Sequence, residues 1–310
     1  MKATVQPPKK RSRLRKWLKR ILMTIIIIIL LFVFGVIPYG LSYLMTQSAF
    51  NLDRGDSETP AIYGANYKDI EFSSIDGNRL SGWFLENNGK GVTIILCHGL
   101  NRSRVEMLRR ATDLWCAGYS VVIFDFRRHG KSEGEHRTLG YLERFDVRGA
   151  VKHVREALRP QDKIVLMGVS MGAAASLMAA AETLDVAAVI SDSTFLSFEE
   201  TVTHHAKEFL KLPKFPVVYE FLLITEWRIG LDYEDFDLEK AVEKIGDRPV
   251  LFIAGGADRR MPPRIAERLY QVCKSPKKDL LIVPGARHGH AYHTAPEIYL
   301  NKVLDFIAKI

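Results

Sequence analysis

The run Ile164-Val165-Leu166-Met167-Gly168-Val169-Ser170-Met171-Gly172-Ala173-Ala174-Ala175 passes from a short apolar segment into an alanine-rich, helix-forming one through a single serine flanked by glycines. It reads as G-x-S-x-G set between a strand and a helix. Such a turn is tight, so the residues beside the serine must be small, and Gly168 and Gly172 meet that need. The turn would lift Ser170 Oγ clear of a sheet and leave the backbone N–H of Met171 free at a helix start. Five-residue patterns also occur by chance, and a glycine-rich helix start with a capping serine would look the same. The rest of the chain has to separate the two.

Working outward, strand and helix patterns alternate. Lys68 to Phe72 and Arg79 to Phe84 flank a turn at Asp76-Gly77 and read as a hairpin, the second strand at a sheet edge. Val92 to Cys97 is continuously apolar, as expected of a strand buried on both faces. Ser120 to Phe124, Lys163 to Met167, Val186 to Ile190, Pro249 to Ala254 and Leu280 to Val283 supply further strands. Helices are predicted over Val105 to Ala117, Tyr141 to Leu158, Pro263 to Cys273 and Pro296 to Ile310, the second from apolar residues recurring at Val147, Ala150, Val151, Val154 and Leu158. This alternation implies an α/β domain over residues 66–310, with a mainly parallel sheet covered by helices on both faces. Between about residues 193 and 245 the alternation lapses into a stretch rich in Phe, Leu, Tyr and Trp. It is too long for a plain connection and reads as a small helical cap.

The 310 residues carry a formal net charge of +8, unevenly placed. Residues 1–20 hold nine Lys/Arg and no acid, and residues 21–50 are uncharged. The remainder has 35 Lys/Arg against 36 Asp/Glu, so the body has no basic excess with which to bind nucleic acid. The basic leader (1–20) and the apolar run (21–45) read as a cytoplasmic flank and one transmembrane anchor that contacts membrane lipid, followed by a linker over 46–65. No clean small-x-small site follows the run, which favours an uncleaved anchor over a signal peptide. Trp17 and Tyr39/Tyr43 are expected at the near and far interfaces. Basic residues before the span, with Asp53, Arg54, Asp56 and Glu58 after it, place the N-terminus in the cytoplasm and the body outside. Cys97, Cys116 and Cys273 are too few and scattered for a disulfide framework, and Cys97 and Cys116 are expected as inert core thiols.

Polar residues fall in loops after strands, where open parallel sheets place their sites. Ser170 follows one strand, Asp258 follows the Pro249 to Ala254 strand, and His288 follows the Leu280 to Val283 strand. Asp192 competes with Asp258 as the acid, and His290 and His293 compete with His288. The H-x-H-x-x-H spacing of the three histidines is a weak metal pattern without nearby carboxylates. His98 and His129 are expected to shape their loops, and His204-His205 to form an exposed pair. Arg104, Arg259 and Arg260 are candidates for the pocket border or plain surface arginines.

With His98-Gly99-Leu100, Asp125-Phe126-Arg127-Arg128-His129-Gly130-Lys131-Ser132, Gly168-Val169-Ser170-Met171-Gly172 and the Asp258/His288 pair in hand, the chain resembles an α/β-hydrolase-fold serine hydrolase over roughly residues 66–310. With the anchor, it is similar to membrane-anchored bacterial esterase-like members. The family's second segment usually reads D-x-R-G-H-G-x-S, and Arg128 replaces the first glycine here. The resemblance implies a Ser170–His288–Asp258 triad, an oxyanion hole from the N–H groups of Leu100 and Met171, and no cofactor or metal. The substrate it implies is a small carboxylic ester or thioester cleaved through an acyl-enzyme. A peptidase of the same fold and a non-catalytic, membrane-anchored binding protein remain as alternatives, and oligomeric state is left open.

Overall fold

The computed structural model describes residues 10–47, 58–230 and 232–310. Most of the basic leader's side chains and the acidic residues Asp53 and Asp56 therefore lie outside the described residues.

Eight strands form one sheet: β1 (Lys68–Ser73), β2 (Arg79–Leu85), β3 (Val92–Cys97), β4 (Ser120–Phe124), β5 (Lys163–Val169), β6 (Val186–Asp192), β7 (Val250–Gly255) and β8 (Asp279–Val283). Their spatial order is β1-β2-β4-β3-β5-β6-β7-β8. The β1–β2 and β2–β4 pairs are antiparallel, and every later pair is parallel. The hairpin therefore hangs on the β4 side. β1 is the edge strand and β2 is interior, where the reading from sequence had β2 at the edge. Gly82 shows why β2 fits there: a Cβ at that position would lie 2.7 Å from the Ile123 carbonyl of β4.

The helices are α1 (Lys10–Leu31), α2 (Ile37–Gln47), α3 (Leu108–Cys116), α4 (Glu143–His153), α5 (Met171–Glu182), α6 (Phe198–His205), α7 (Tyr219–Ile229), α8 (Leu238–Ile245), α9 (Arg264–Val272), α10 (Ala291–Thr294) and α11 (Pro296–Ile307). Alternate residues of each central strand serve opposite cores, as the period of two dictates. Ile95 and Leu166 face the α4/α5 side, and Ile94, Leu96, Val165 and Met167 face the α3/α11 side. Two departures from the sequence reading concern helix ends. Arg104–Met107 is a separate 3₁₀ turn before α3, and Val154–Leu158 widens into a π-type turn after α4. Cys97 is buried, and burial pushes its thiol up to about 12. Cys116 is exposed, because it sits on the outer side of the last turn of α3, and so is not a core thiol.

α1 and α2 are joined through a π-helical turn at Phe32–Val36, making a helix long and apolar enough to cross a membrane. Ile25 to Leu31 are bare, whereas α2 packs along α7. The carbonyls at the end of α2 lack intrahelical partners, and the body supplies them. Arg137 donates from Nε to the Met45 carbonyl and from its backbone N to the Thr46 carbonyl, and Arg128 Nη2 donates to the Gln47 carbonyl at 2.7 Å. Cations at a helix C-terminus also complement its dipole. Arg128, the departure from the family pattern, thus serves as a helix cap, and it takes a positive φ of 55° at a position where glycine is otherwise preferred.

Candidate active site

The carboxyl ends of β5, β7 and β8 bring three side chains together. Ser170 Oγ lies 2.9 Å from His288 Nε2, and His288 Nδ1 lies 2.8 Å from Asp258 Oδ2. A proton on Nδ1, donated to the carboxylate, leaves Nε2 free to accept from the serine hydroxyl. Asp258 is 3% exposed, and its other oxygen accepts from the backbone N–H groups of Arg260 and Met261. Both oxygens are thus engaged and the carboxylate has one orientation.

The local backbone follows from the sequence. Ser170 adopts φ 53° and ψ −113°, a conformation costly for a non-glycine residue that persists only where its surroundings impose it. Its N–H donates to the Asp192 carbonyl, and the helix α5 begins at once. A Cβ on Gly168 would sit 2.2 Å from the Gly172 carbonyl, and one on Gly172 would sit 2.2 Å from the Cys97 carbonyl, so both glycines are there for close approach. The acid and base loops are laced to each other. Gly256 N donates to the Val283 carbonyl and Ala257 N to the Ala286 carbonyl.

Met171 follows Ser170 in the chain and Leu100 lines the same cavity as Ser170, and no backbone partner is seen for either N–H among the described residues. The Leu100 loop is fixed from below. His98 Nε2 accepts from Phe126 N, its Nδ1 bonds the Gly99 carbonyl, and Glu106 Oε2 accepts from Gly99 N at 2.6 Å. Burial, with His129 adding to it, holds His98 well below the ordinary histidine range, so it is a neutral strut. His129 likewise bonds the Arg127 carbonyl in its own loop.

Among the competitors, Asp192 is buried against Ser193 Oγ and Tyr299 OH and does not meet His288. His290 and His293 line the cavity with their rings tilted at 54° to each other, and neither takes the place of His288. No three His, Cys, Asp or Glu side chains among the described residues are arranged to hold a metal ion.

A cavity of about 920 Å³ opens over Ser170. Its apolar wall includes Leu41 and Met45 of α2 together with Phe209, Leu210, Val217 and Phe221 from the segment between β6 and β7. Its polar side holds Arg102, Arg109 and Arg260 together with Glu58 and Glu106. Of the three arginines marked in the sequence, only Arg260 borders the cavity. Arg104 is buried in an ion pair with Asp125 at 3.0 Å, and Arg259 pairs with Glu208. His205 lines the cavity instead of standing exposed, and burial, with Arg260 and His204 alongside, pushes its imidazole down to about 4. Sequence reasoning missed Glu106, whose role depends on a loop contact with no periodicity. It also missed Leu41 and Met45, which were absorbed into the apolar run.

Comparison with known proteins agrees with this architecture. The family profile described as serine aminopeptidase, S33, matches residues 90–225. The chain is 28% identical over 233 residues to the uncharacterized protein YqkD of Bacillus subtilis, covering 74% of this chain and 76% of that one. It is 26% identical over 260 residues to the uncharacterized membrane protein YNL320W of Saccharomyces cerevisiae, covering 82% and 84%. In structure it is similar to the Pyrococcus furiosus esterase Pf2001, with a TM-score of 0.68 at 27% identity over 82% of this chain and 96% of that one. Est1E from Butyrivibrio proteoclasticus, with a TM-score of 0.60 at 19% identity over 78% and 98%, shares the fold.

Proposed function

This chain has the α/β-hydrolase fold, and we propose that it is a serine hydrolase that cleaves a carboxylic ester or thioester through an acyl-enzyme. The observation that carries the reading is the Ser170–His288–Asp258 relay at 2.9 and 2.8 Å, with the carboxylate fully engaged. A serine hydroxyl is a weak nucleophile at neutral pH. Ser170 Oγ attacks the acyl carbon while His288 Nε2 takes its proton, and the carbonyl becomes an oxyanion facing the N–H groups of Leu100 and Met171. The oxyanion collapses, the bond to the alcohol or thiol breaks, and the proton on His288 goes to that leaving group. Water then repeats the sequence on the acyl-enzyme and frees the acid and Ser170. Asp258 holds the Nδ1–H tautomer and stabilises the imidazolium throughout.

The esterase likeness and the apolar wall support an acyl substrate over a peptide. The aminopeptidase name of the matching profile makes the peptidase reading worth a direct trial. A fluorophosphonate probe applied to the membrane fraction is the test. Labelling of wild type and not of Ser170→Ala, with acyl-ester cleavage exceeding cleavage of aminoacyl amides, supports the reading. A folded wild type that takes no label points to the binding-protein alternative.

The division into leader (1–20), anchor (21–45), linker (46–65) and hydrolase domain (66–310) with a cap at about 193–245 belongs to the same proposal. So does the orientation with the N-terminus cytoplasmic and the body outside. The apolar helix and a relative named as a membrane protein support anchoring. Protease added to spheroplasts should digest the body, and full protection would reverse the orientation.

A further inference from the structure

The anchor does more than tether. If hydrocarbon begins at Ile21, just past Arg20, a helix rising about 1.5 Å per residue reaches Tyr39 and Tyr43 after about 27–33 Å, the thickness of a bilayer core. There Arg228 lies over both tyrosine rings, at 5.1 and 5.4 Å, and its Nη1 donates to Ser42 Oγ at 2.9 Å. Aromatic rings and an arginine at this level are what an interface selects. The turn at Lys214–Val218, however, packs against Phe32–Val36. That contact lies about 10 Å nearer the bilayer centre, so this part of the body must sit in the leaflet.

Its surface fits that depth. Tyr219, Leu223 and Trp227 recur every four residues along α7, and Phe215, in the non-helical turn before it, sets its ring 6.4 Å from that of Tyr219, so the four form one exposed apolar patch, with Phe215 75% and Trp227 79% exposed. α7 runs beside α2 with Trp227 toward the Tyr43 level, where tryptophan is favoured. Two of the lysines nearby take partners from the protein itself: Lys214 pairs with Glu199 at 2.7 Å, and Lys211 donates to the Glu208 carbonyl. Phe209, Leu210 and Leu41 are exposed and also line the cavity over Ser170, so the apolar end of the cavity meets the same surface.

We propose that α7 and the Lys214–Val218 turn bed into the leaflet on the body's side, and that the cavity takes its substrate from that leaflet: an ester of a long acyl chain carried by a membrane amphiphile. The substrate part rests on the serine-hydrolase reading, whereas the bedding does not.

The full chain reconstituted in phosphatidylcholine vesicles with brominated acyl chains tests the bedding. In a Trp17→Phe background, the fluorescence removed by a further Trp227→Phe change should be quenched about twofold or more by bromine. No quenching of that component overturns the bedding. The substrate part is read from the ratio of cleavage rates for a palmitoyl ester held in vesicles and a soluble acetyl ester. Phe215→Glu/Trp227→Glu should lower that ratio about tenfold, because charge is costly at that depth. An unchanged ratio overturns delivery from the leaflet. A quenched Trp227 in a chain that cleaves neither ester instead removes the hydrolase reading, and with it the substrate part, while the bedding stands.

Discussion

At the scale of single residues, the site rests on a few contacts with no slack. Ser170→Ala removes the proposed nucleophile, and kcat should fall by about 10⁴–10⁶-fold with the fold intact, as measured by ester turnover alongside circular dichroism. Asp258→Asn keeps the shape but presents an amide to His288 Nδ1 and favours the wrong tautomer. The expected loss is about 10⁴-fold in kcat, against little change in KM. Gly172→Ala tests the turn instead of the chemistry. Its Cβ would stand 2.2 Å from the Cys97 carbonyl, a backbone atom that cannot swing away. A loss of about 3 kcal/mol in denaturant unfolding is expected, at the upper end for overpacking. A thermally normal Gly172→Ala chain would show that the strand β3 can shift to make room.

Among elements, the polar network beneath the hairpin matters most. Arg127 bonds Asp146 at 2.6 Å and Asp76 at 2.7 Å, tying the loop after β4 to α4 and to the β1–β2 turn. Burial pushes the Asp146 carboxyl up to about 7, with Arg127 working against the shift. Removing the arginine leaves a buried carboxylate alone, and Arg127→Ala should cost about 3–5 kcal/mol at pH 7. The pH sign follows from the raised folded value. Between the unfolded carboxylate value and the folded one the native Asp146 holds more of its proton, so this group's own contribution to stability falls as pH rises. The Tm deficit of the variant relative to wild type should therefore widen as pH rises toward 8, because Asp146 has then lost the charge that favoured its ionised form. Much of the element layout was legible beforehand. Every strand was placed to within a residue or two, because β3 to β7 are continuously apolar and a parallel sheet hides both faces. The loops after β5, β7 and β8 were legible for the same reason, since parallel strands deliver their ends to one edge. What the sequence did not reveal came from contacts across the chain. Arg128 looked like a loop substitution until the end of α2 was seen beneath it. His205 looked exposed because a two-histidine helix end carries no sign of the cavity it faces.

For the molecule as a whole, acid is the condition that should separate its parts. Several histidines are held below the ordinary range chiefly by burial: His98, His129, His205, His136, His153 and His293. In the unfolded chain each protonates near 6.5. Between that value and the lower folded one, about 4 for His205, the unfolded state binds more protons, so stability rises with pH across this window and drains away as pH falls through it. Apart from His153, which stacks on Phe72 of β1, these groups lie in the β3 and β4 loops and along the cavity, so the site should loosen before the sheet does. The Tm of the full chain in detergent should decline between about pH 6.5 and 4, and the proposed ester hydrolysis should be lost at a higher pH than far-ultraviolet ellipticity. His205→Gln should flatten the pH dependence of Tm at its acid end, since a neutral amide has no proton to gain. His98→Gln cannot serve as the same probe, because His98 accepts from Phe126 N and positions the Leu100 loop. If Tm is level from pH 7 to 4, the buried histidines are protonating in place, and Asp125 and Glu143 near His129 are the charges that would let them do so.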